Sequence, residues 1–373
     1  MTLRPRSDSA ERVLGMVAKE FRQIFRDPRM ARFVLVAPVL QLLVFGYAVS
    51  TDLRRTPLFV VDHDGTQASR ALTDAFTATD YFRLAGASDS PNDLVRALDH
   101  GAAVIGLEVP PGFAADLDAG RGVVQVLIGG TNSNTASVAQ GYAERIVLDY
   151  ALERQPSFRP PVDLRERAWY NPDLASRNYN VPAVVGALIL LVCLLLTSLA
   201  VVREREIGTL EQLQVSPLSS AELIAGKTIP FAVIGLVDLV FVTLVALLWF
   251  HIPFRGSPLL LLAASILYLL SGLGTGLLIS TVSKTQQEAF LSSFMVFMPA
   301  ILLSGFMFPV SSMPKLFQWL TLLNPMRHYI EIVRALFLKG AGASLLWRQF
   351  AALLVIGAAL LGFATARFRK TAV

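Results

Sequence analysis

Three consecutive residues, Gly226, Lys227 and Thr228, match the end of a phosphate-binding loop. In that motif the lysine reaches the phosphates of a nucleotide and the threonine hydroxyl binds the magnesium ion. The motif also requires a strand before the loop and a glycine five residues before Gly226, where Ala221 stands. The motif is therefore incomplete, and we predict that any ATP used by this protein is hydrolysed by a separate subunit.

A second pattern with chemical potential follows the apolar run at 58–61, where Asp62, Asp64 and Thr66 stand at alternate positions. The pattern is similar to the first motif of haloacid-dehalogenase-like phosphatases, in which the first aspartate attacks phosphorus beside Mg²⁺. That chemistry needs a cation, usually lysine, to steady the phosphoryl intermediate, and residues 51–180 contain no lysine. We therefore favour a strand end followed by a turn. The four histidines have no ligand-like spacing, so we predict no metal site.

A third candidate is Asp238, which stands near the middle of an apolar run at 229–250. A carboxylate is costly in hydrocarbon, so it marks either a substrate or proton contact or a structural hydrogen bond within the bundle or a dimer. Both interpretations stay open. In the next apolar run, Gly272 and Gly276 are four residues apart, a spacing that predicts close helix packing.

The composition indicates a membrane protein. Of the 373 residues, 54% are hydrophobic and only 16% are charged, and the mean hydropathy is +0.54. The single cysteine, Cys193, lies in an apolar run, which excludes a disulfide within the chain. The net charge of +5 is unevenly distributed, because residues 51–180 hold 17 acidic side chains and 12 arginines. We expect this acidic segment to face a different compartment from the basic remainder.

The elements that must position these residues are mainly helical. Residues 1–32 predict a basic amphipathic helix on the cytoplasmic membrane surface, in contact with either anionic lipid or a partner protein. Six apolar runs predict transmembrane helices, at about 33–49, 182–202, 229–250, 259–282, 289–308 and 346–366. Between the first and second runs, strand patterns at 57–61, 102–109 and 123–128 are separated or followed by helical patterns at 67–76, 92–98, 112–117 and 135–152. This alternation predicts an extracytoplasmic α/β domain at 51–180, inserted between the first helix (33–50) and the remaining five (181–373).

Two independent signals orient this arrangement. Fifteen lysines and arginines fall on the predicted cytoplasmic side and six on the outer side, which places both termini in the cytoplasm. All four tryptophans fall at the predicted outer interface. Residues 310–343 contain two apolar patches too short to cross a membrane, which predict outer interfacial helices.

A charged stretch at 202–228 separates the second and third apolar runs. Its apolar residues Ile207, Leu210 and Leu213 recur at helical spacing, and Ser219 with Glu222 predicts a capping box on the next helix. The wording EREIGTLEQLQVSPLSSAELIAGK resembles the signature of type-2 ABC exporter permeases, the daunorubicin-resistance-like membrane subunits. The resemblance implies a coupling helix at 203–215 that contacts a separate ATPase. Its predicted contact residues are Arg203, Glu204, Arg205, Glu206, Ile207, Gly208, Thr209, Leu210, Glu211 and Gln212.

The resemblance implies a permease of a bacterial inner membrane that exports drugs or other amphipathic molecules. It implies a dimer with a second copy or a paralogue, an ABC ATPase subunit that binds ATP and magnesium, and a periplasmic adaptor in a double-membraned bacterium. We predict no cofactor in this chain, no enzymatic activity and no nucleic-acid partner. Two alternatives stay open: a lipid or glycan exporter of the same architecture, and a membrane-anchored sensor or binding protein.

Overall fold

The computed structural model describes residues 7–26, 28, 32, 36–48, 55–131, 133–154, 169–171, 175–208 and 219–371. The chain divides into two compact units. One comprises residues 1–50 and 168–373 and is the helical unit; the other comprises residues 51–167 and is the α/β unit.

The α/β unit is built around a four-stranded sheet. Its elements in chain order are β1 (Thr56–Asp62), α3 (Gln67–Thr77), β2 (Phe82–Ser88), α4 (Pro91–Asp99), β3 (Ile105–Val109), α5 (Phe113–Asp118), β4 (Gln125–Ile128) and α6 (Ser133–Arg154). The strand order is β2-β1-β3-β4, in which β1 pairs in parallel with β2 and β3, and β4 is antiparallel to β3. Leu58, Ile105 and Leu107 of the central strands are fully buried beneath the helices.

The sequence predicted every element of this unit except β2. Strand β2 has the sequence FRLAGAS, which lacks β-branched residues, and it lies at an edge with most side chains exposed. Its Gly86 is required by packing, because a Cβ there would lie 2.7 Å from the Phe59 ring. The strand therefore forms through its pairing with β1 rather than through its own propensity.

The helical unit is organised around one long helix. Its elements are α1 (Ser7–Arg26), α2 (Ala37–Ala48), α7 (Ser176–Ile207), α8 (Ser220–Leu248), α9 (Pro258–Val282), α10 (Gln286–Leu302), α11 (Lys315–Thr321), α12 (Pro325–Arg334) and α13 (Ala343–Thr371), with a 3₁₀ turn at Val310–Ser312 and a π-helical turn at Ala335–Lys339. Helix α7 is buried along its whole apolar length and packs against α2, α8, α9, α10 and α12. It is the core of this unit.

Four helices of the described chain, α7, α8, α9 and α13, are long and apolar enough to cross a membrane. Of the two other predicted spans, the run at 289–308 corresponds to the 17-residue α10, and the run at 33–49 corresponds in part to the 12-residue α2. The remainder of that run, at 33–35 and 49, lies outside the described residues. Helices α11 and α12 occupy the stretch predicted to hold outer interfacial helices.

Helix α9 places its glycines against two neighbours. A Cβ at Gly272 would lie 3.2 Å from the Cys193 sulfur, and one at Gly276 would lie 2.8 Å from the Thr197 Cβ, so both glycines face α7. Gly274 faces the other way, where a Cβ would lie 2.7 Å from the backbone nitrogen of Leu361 in α13. The absence of side chains lets α9 lie close to both helices.

Candidate coupling site

Four charged side chains from three helices, of which three are buried, form a group at one end of the helical unit. We call Lys19 and Glu20 of α1, Glu204 of α7 and Lys227 of α8 the lysine–glutamate cluster. The Lys227 Nζ lies 2.5 Å from the Glu204 Oε2 and 3.3 Å from the Glu20 Oε1, and the Lys19 Nζ lies 2.9 Å from the Glu204 Oε1. The side chains of Lys227, Glu20 and Glu204 are at most 5% exposed. Two cations and two carboxylates balance, which is what makes their burial tolerable.

The local sequence explains how the three helices meet. Glu20 stands between Met16 and Ile24 on the buried face of α1, at i, i+4 spacing. Gly226 lets α1 approach α8, because a Cβ at that position would lie 2.6 Å from the Met16 Cγ. The Thr228 hydroxyl donates to the Ile224 carbonyl, 2.8 Å away, within its own helix. The apparent nucleotide motif at 226–228 therefore serves helix packing and ion pairing.

The first turn of α8 adds a second link to α1. The predicted capping box is confirmed: the Ser219 hydroxyl accepts from the Glu222 backbone N–H, and the Glu222 carboxylate accepts from the Ser219 backbone N–H. The same carboxylate also accepts from the Ser9 hydroxyl at 2.5 Å and from the Arg12 guanidinium at 2.7 Å. Glu222 thus fixes both the start of α8 and the start of α1.

Two residues in the last turn of α7 form hydrogen bonds to two further helix ends. The Arg205 guanidinium donates to the Ser283 carbonyl at the end of α9, 2.9 Å away. The Glu206 carboxylate accepts from the backbone and side-chain nitrogens of Gln286 in the first turn of α10, at 2.8 and 2.5 Å. Gly208 then ends the helix with a left-handed φ of +81°, which favours glycine. The charged residues in the first turn of the predicted coupling helix therefore connect α7 to α1, α8, α9 and α10.

The structure describes six of the ten predicted coupling residues. Arg203 to Ile207 form the end of α7 and are continuous with it, and Gly208 caps that helix. Thr209, Leu210, Glu211 and Gln212 lie outside the described residues, as does the rest of the predicted coupling helix to residue 215. The residues that flank the segment 209–218 are Gly208, which follows the last residue of α7, and Ser219, which is the N-cap of α8.

Asp238 lies apart from this site, on α8, four helical turns from Glu222 toward the other end of the helix. It is 3% exposed, and its Oδ2 has no hydrogen-bond partner among the described residues. The geometry leaves both the substrate or proton contact and the structural interpretation open. Gly272 and Gly276 of α9 face α7, and Asp238 is not among the nearest neighbours of either glycine.

In the α/β unit, the two aspartates of the phosphatase-like pattern accept hydrogen bonds within and beside a turn that follows β1. The Asp62 Oδ1 accepts from the backbone nitrogens of Asp64 and Gly65 at 3.0 and 2.9 Å, and its Oδ2 accepts from the Ser69 hydroxyl at 2.7 Å. The Asp64 Oδ1 accepts from the Gly112 backbone nitrogen at 2.9 Å, beside the start of α5. These bonds support the turn interpretation. Within the described ranges, no three or more His, Cys, Asp or Glu side chains are grouped to hold a metal ion.

Sequence reasoning did not identify Lys19, Glu20 and Lys227 as members of one site. The signal was present in their positions. Glu20 interrupts the apolar face of an amphipathic helix, and Lys227 stands at the head of an apolar run. Opposite charges on two buried faces must be paired when those faces meet, since an isolated buried charge is strongly destabilising.

Comparison with known proteins agrees with this architecture. The family model described as ABC-2 family transporter protein matches residues 30–366. The probable multidrug ABC transporter permease YbhR of Escherichia coli K12 is 34% identical over 363 residues, which cover 96% of this chain and 98% of that protein. The probable multidrug ABC transporter permease YbhS of the same organism is 33% identical, covering 89% and 90%. The linearmycin resistance permease protein LnrN of Bacillus subtilis is 24% identical, covering 89% and 92%.

The family model spans most of the chain, and two relatives exceed 30% identity over nearly their full lengths. The apolar helices of the helical unit are those of a membrane-embedded transport protein. The chain therefore belongs to the ABC-2 transporter family.

Proposed function

We propose that this chain is the permease subunit of an ATP-binding-cassette exporter that moves drugs or other amphipathic molecules out of the cytoplasm or inner membrane. Two relatives named as multidrug permeases and a third named for linearmycin resistance support this substrate class. In this proposal the chain lies in a bacterial inner membrane with both termini in the cytoplasm. ATP and Mg²⁺ are bound by a separate ATPase subunit and not by this chain.

The proposed topology has six spans, with α2 and α10 joining the four long apolar helices. At about 1.5 Å per residue, the 17 residues of α10 extend roughly 25 Å, close to the thickness of the hydrocarbon core. The predicted first span begins before the 12 residues of α2. The α/β unit then lies outside the cytoplasm, where it would contact a periplasmic adaptor, and a second copy or a paralogue completes the pathway.

The observation that carries the coupling mechanism is the Glu204–Lys227 ion pair. It joins the last turns of α7 to the first turns of α8, the two helices that flank the segment 209–218. Force applied to this segment by closure of an ATPase pair would move both helix ends together, since they are bonded to each other. Lys19 and Glu20 extend the same cluster to α1. Rigid-body movement of packed helices is an established way of switching access to a binding site.

ATP turnover tests the coupling assignment. The chain is purified in lipid nanodiscs with its ATPase subunit, and the turnover of the complex is compared with that of the double variant Glu206→Ala/Leu210→Ala. We expect the permease-dependent part of the turnover to fall about fivefold or more, the scale of a typical coupling free energy. Arg348→Gln, an exposed residue far from this site in the sequence, is the matched control. Unchanged turnover in the double variant would show that 203–215 is not the coupling element.

Cysteine labelling tests the topology separately. The buried Cys193 is first replaced by alanine, which gives a background without cysteine. Ser219→Cys and Ser257→Cys then place one thiol at each proposed side, since both serines are exposed helix caps. A membrane-impermeant maleimide should label Ser257→Cys in intact spheroplasts and Ser219→Cys only after permeabilisation. Labelling of Ser219→Cys in intact spheroplasts would reject the proposed orientation.

A further inference from the structure

A cleft lies beside the lysine–glutamate cluster, between α1 and the end of α7. It is open on one side and has a volume of about 660 Å³. We call it the arginine cleft, and its lining residues are Lys19, Arg22, Gln23, Arg26, Pro28 and Arg203. Four of these six residues are cations, and none is a carboxylate. A concave surface with this lining attracts anions.

The charges of the cleft are not equally available. Lys19 is paired with Glu204, 2.9 Å away. Arg22 donates from its Nε to the Ala18 carbonyl, which carries no net charge. Within the described part of the chain, Arg22, Arg26 and Arg203 form no ion pair with a carboxylate. Three guanidinium groups without an ion pair to a described carboxylate therefore border one cleft. The planar fork of a guanidinium matches the oxygens of a phosphate group.

An exposed apolar face of α1 indicates where that phosphate comes from. Leu14 and Phe25 of α1 are 64% and 51% exposed. They are eleven residues apart, which is about three helical turns and places them on one face. Phe25 stacks on Phe21, with ring centroids 6.3 Å apart. An exposed apolar face next to arginines is typical of a helix that lies in the headgroup region of a membrane. A soluble phosphate compound would gain nothing from these apolar side chains.

We propose that the arginine cleft binds the phosphate group of an anionic phospholipid, held by Arg22, Arg26 and Arg203 with Leu14 and Phe25 beside the acyl chains. The lipid would bridge α1 and α7 and neutralise the positive charge of the three cleft arginines. The inference goes beyond the exporter function, because it requires neither an ATPase nor transport.

Native mass spectrometry of the full chain tests this proposal. The delipidated protein is titrated in detergent with phosphatidylglycerol or with phosphatidylcholine of the same acyl chains. We expect preferential binding of phosphatidylglycerol, and about tenfold or more loss of that affinity in Arg26→Gln/Arg203→Gln, since this variant removes two of the three guanidinium groups that would hold the phosphate. Arg177→Gln/Arg348→Gln removes two exposed arginines elsewhere and should bind phosphatidylglycerol like the unmodified chain.

Three outcomes would overturn the proposal. The first is equal loss, or no loss, in the cleft variant and its control. The second is binding of glycerol 3-phosphate in the absence of lipid with the affinity of phosphatidylglycerol, which would assign the cleft to a soluble phosphate. The third is unchanged lipid binding together with weaker binding of the ATPase subunit, which would make the cleft a protein contact. If the double variant unfolds, Arg26→Gln alone is used, because Arg26 is exposed.

Discussion

Two cations of the helical unit, the buried Lys227 and the partly buried Arg334, are stabilised in different ways. Lys227 is surrounded by carboxylates, with Glu204 at 2.5 Å and Glu20 at 3.3 Å. Arg334, in the last turn of α12, forms no ion pair with a carboxylate among the described residues. Its guanidinium instead donates to the carbonyls of Tyr179 and Gly305, at 3.1 and 2.9 Å, and lies 3.5 Å from the centroid of the Tyr179 ring. One site balances charge, and the other surrounds a charge with dipoles and an aromatic face.

The two kinds of stabilisation differ in how easily a helix movement or a substitution would alter the site. Burial lowers the pKa of Arg334 to about 10, so its guanidinium stays protonated at neutral pH. Its partners are backbone carbonyls, which no side-chain change can remove, so this site holds α12 against α7 in a fixed geometry. The lysine–glutamate cluster depends on four side chains from three helices. It is therefore the site that a movement of the helices, or a single substitution, would alter.

Removing one charge from the cluster should have the largest effect. Lys227→Met leaves Glu20 and Glu204 buried with only Lys19 beside them, and breaking a buried pair in this way costs about 3–5 kcal/mol. The measurement is the free energy of unfolding in a detergent and denaturant titration. Lys227→Met/Glu204→Gln restores the balance of charge and should recover most of the loss. A cost below about 1 kcal/mol for the single variant, or no recovery in the double, would contradict charge balance as the reason for burial.

The second prediction concerns the dipole site. Arg334→Lys keeps the charge but loses the planar fork that reaches two carbonyls and the stacking on Tyr179. We expect a loss of about 2 kcal/mol in the free energy of unfolding, the size of a charged hydrogen bond or a desolvated cation–π contact. Arg348→Lys, at an exposed position, should change little. If Arg334→Lys is as stable as the unmodified protein, charge alone and not geometry stabilises this site.

We expect the smallest loss of stability at a partly exposed ion pair, Arg12 with Glu222, which can be compared with the buried pair of Lys227 and Glu204. The Arg12 side chain is 38% exposed in its 2.7 Å pair with Glu222. Arg12→Gln should therefore cost less than about 1 kcal/mol in the free energy of unfolding, and the difference should shrink at about 1 M salt. The cost of Lys227→Met should be nearly independent of salt. A salt-sensitive Lys227→Met would show that water enters the cluster.

The sequence predicted what depends on local pattern. The capping box of Ser219 and Glu222, the amphipathic α1 and the apolar helices each follow from a spacing that is visible within one element. The missing glycine at Ala221 argues against a nucleotide role for Lys227, and in the structure its ammonium lies against the carboxylates of Glu20 and Glu204. The turn at Asp62 and Asp64 was likewise predictable from turn-forming residues that follow a strand.

The tertiary pairings could not be predicted, because they depend on which helix faces and strands pack together in the folded chain. The pairing of Glu20 with Lys227 spans 207 positions of sequence, and no periodicity links them. The continuity of Arg203–Ile207 with α7 also was not visible, since a charged run after an apolar one fits a new helix as well as a longer one. Strand β2 was missed for a similar reason: its formation depends on β1, its only partner in the sheet.

The sequence separation between Glu20 and Lys227 has a consequence for the synthesis and folding of the protein. Helix α1 is synthesised first, but Lys227 leaves the ribosome 207 residues after Glu20. At about 5–20 residues per second, roughly 10–40 s pass before the lysine that neutralises Glu20 exists. During that interval the nascent α1 has Lys19 as the neighbour of Glu20 within its own helix, and its apolar face needs cover. We expect the membrane surface to cover that face, with α1 held there as a peripheral helix until α7 and α8 have been inserted.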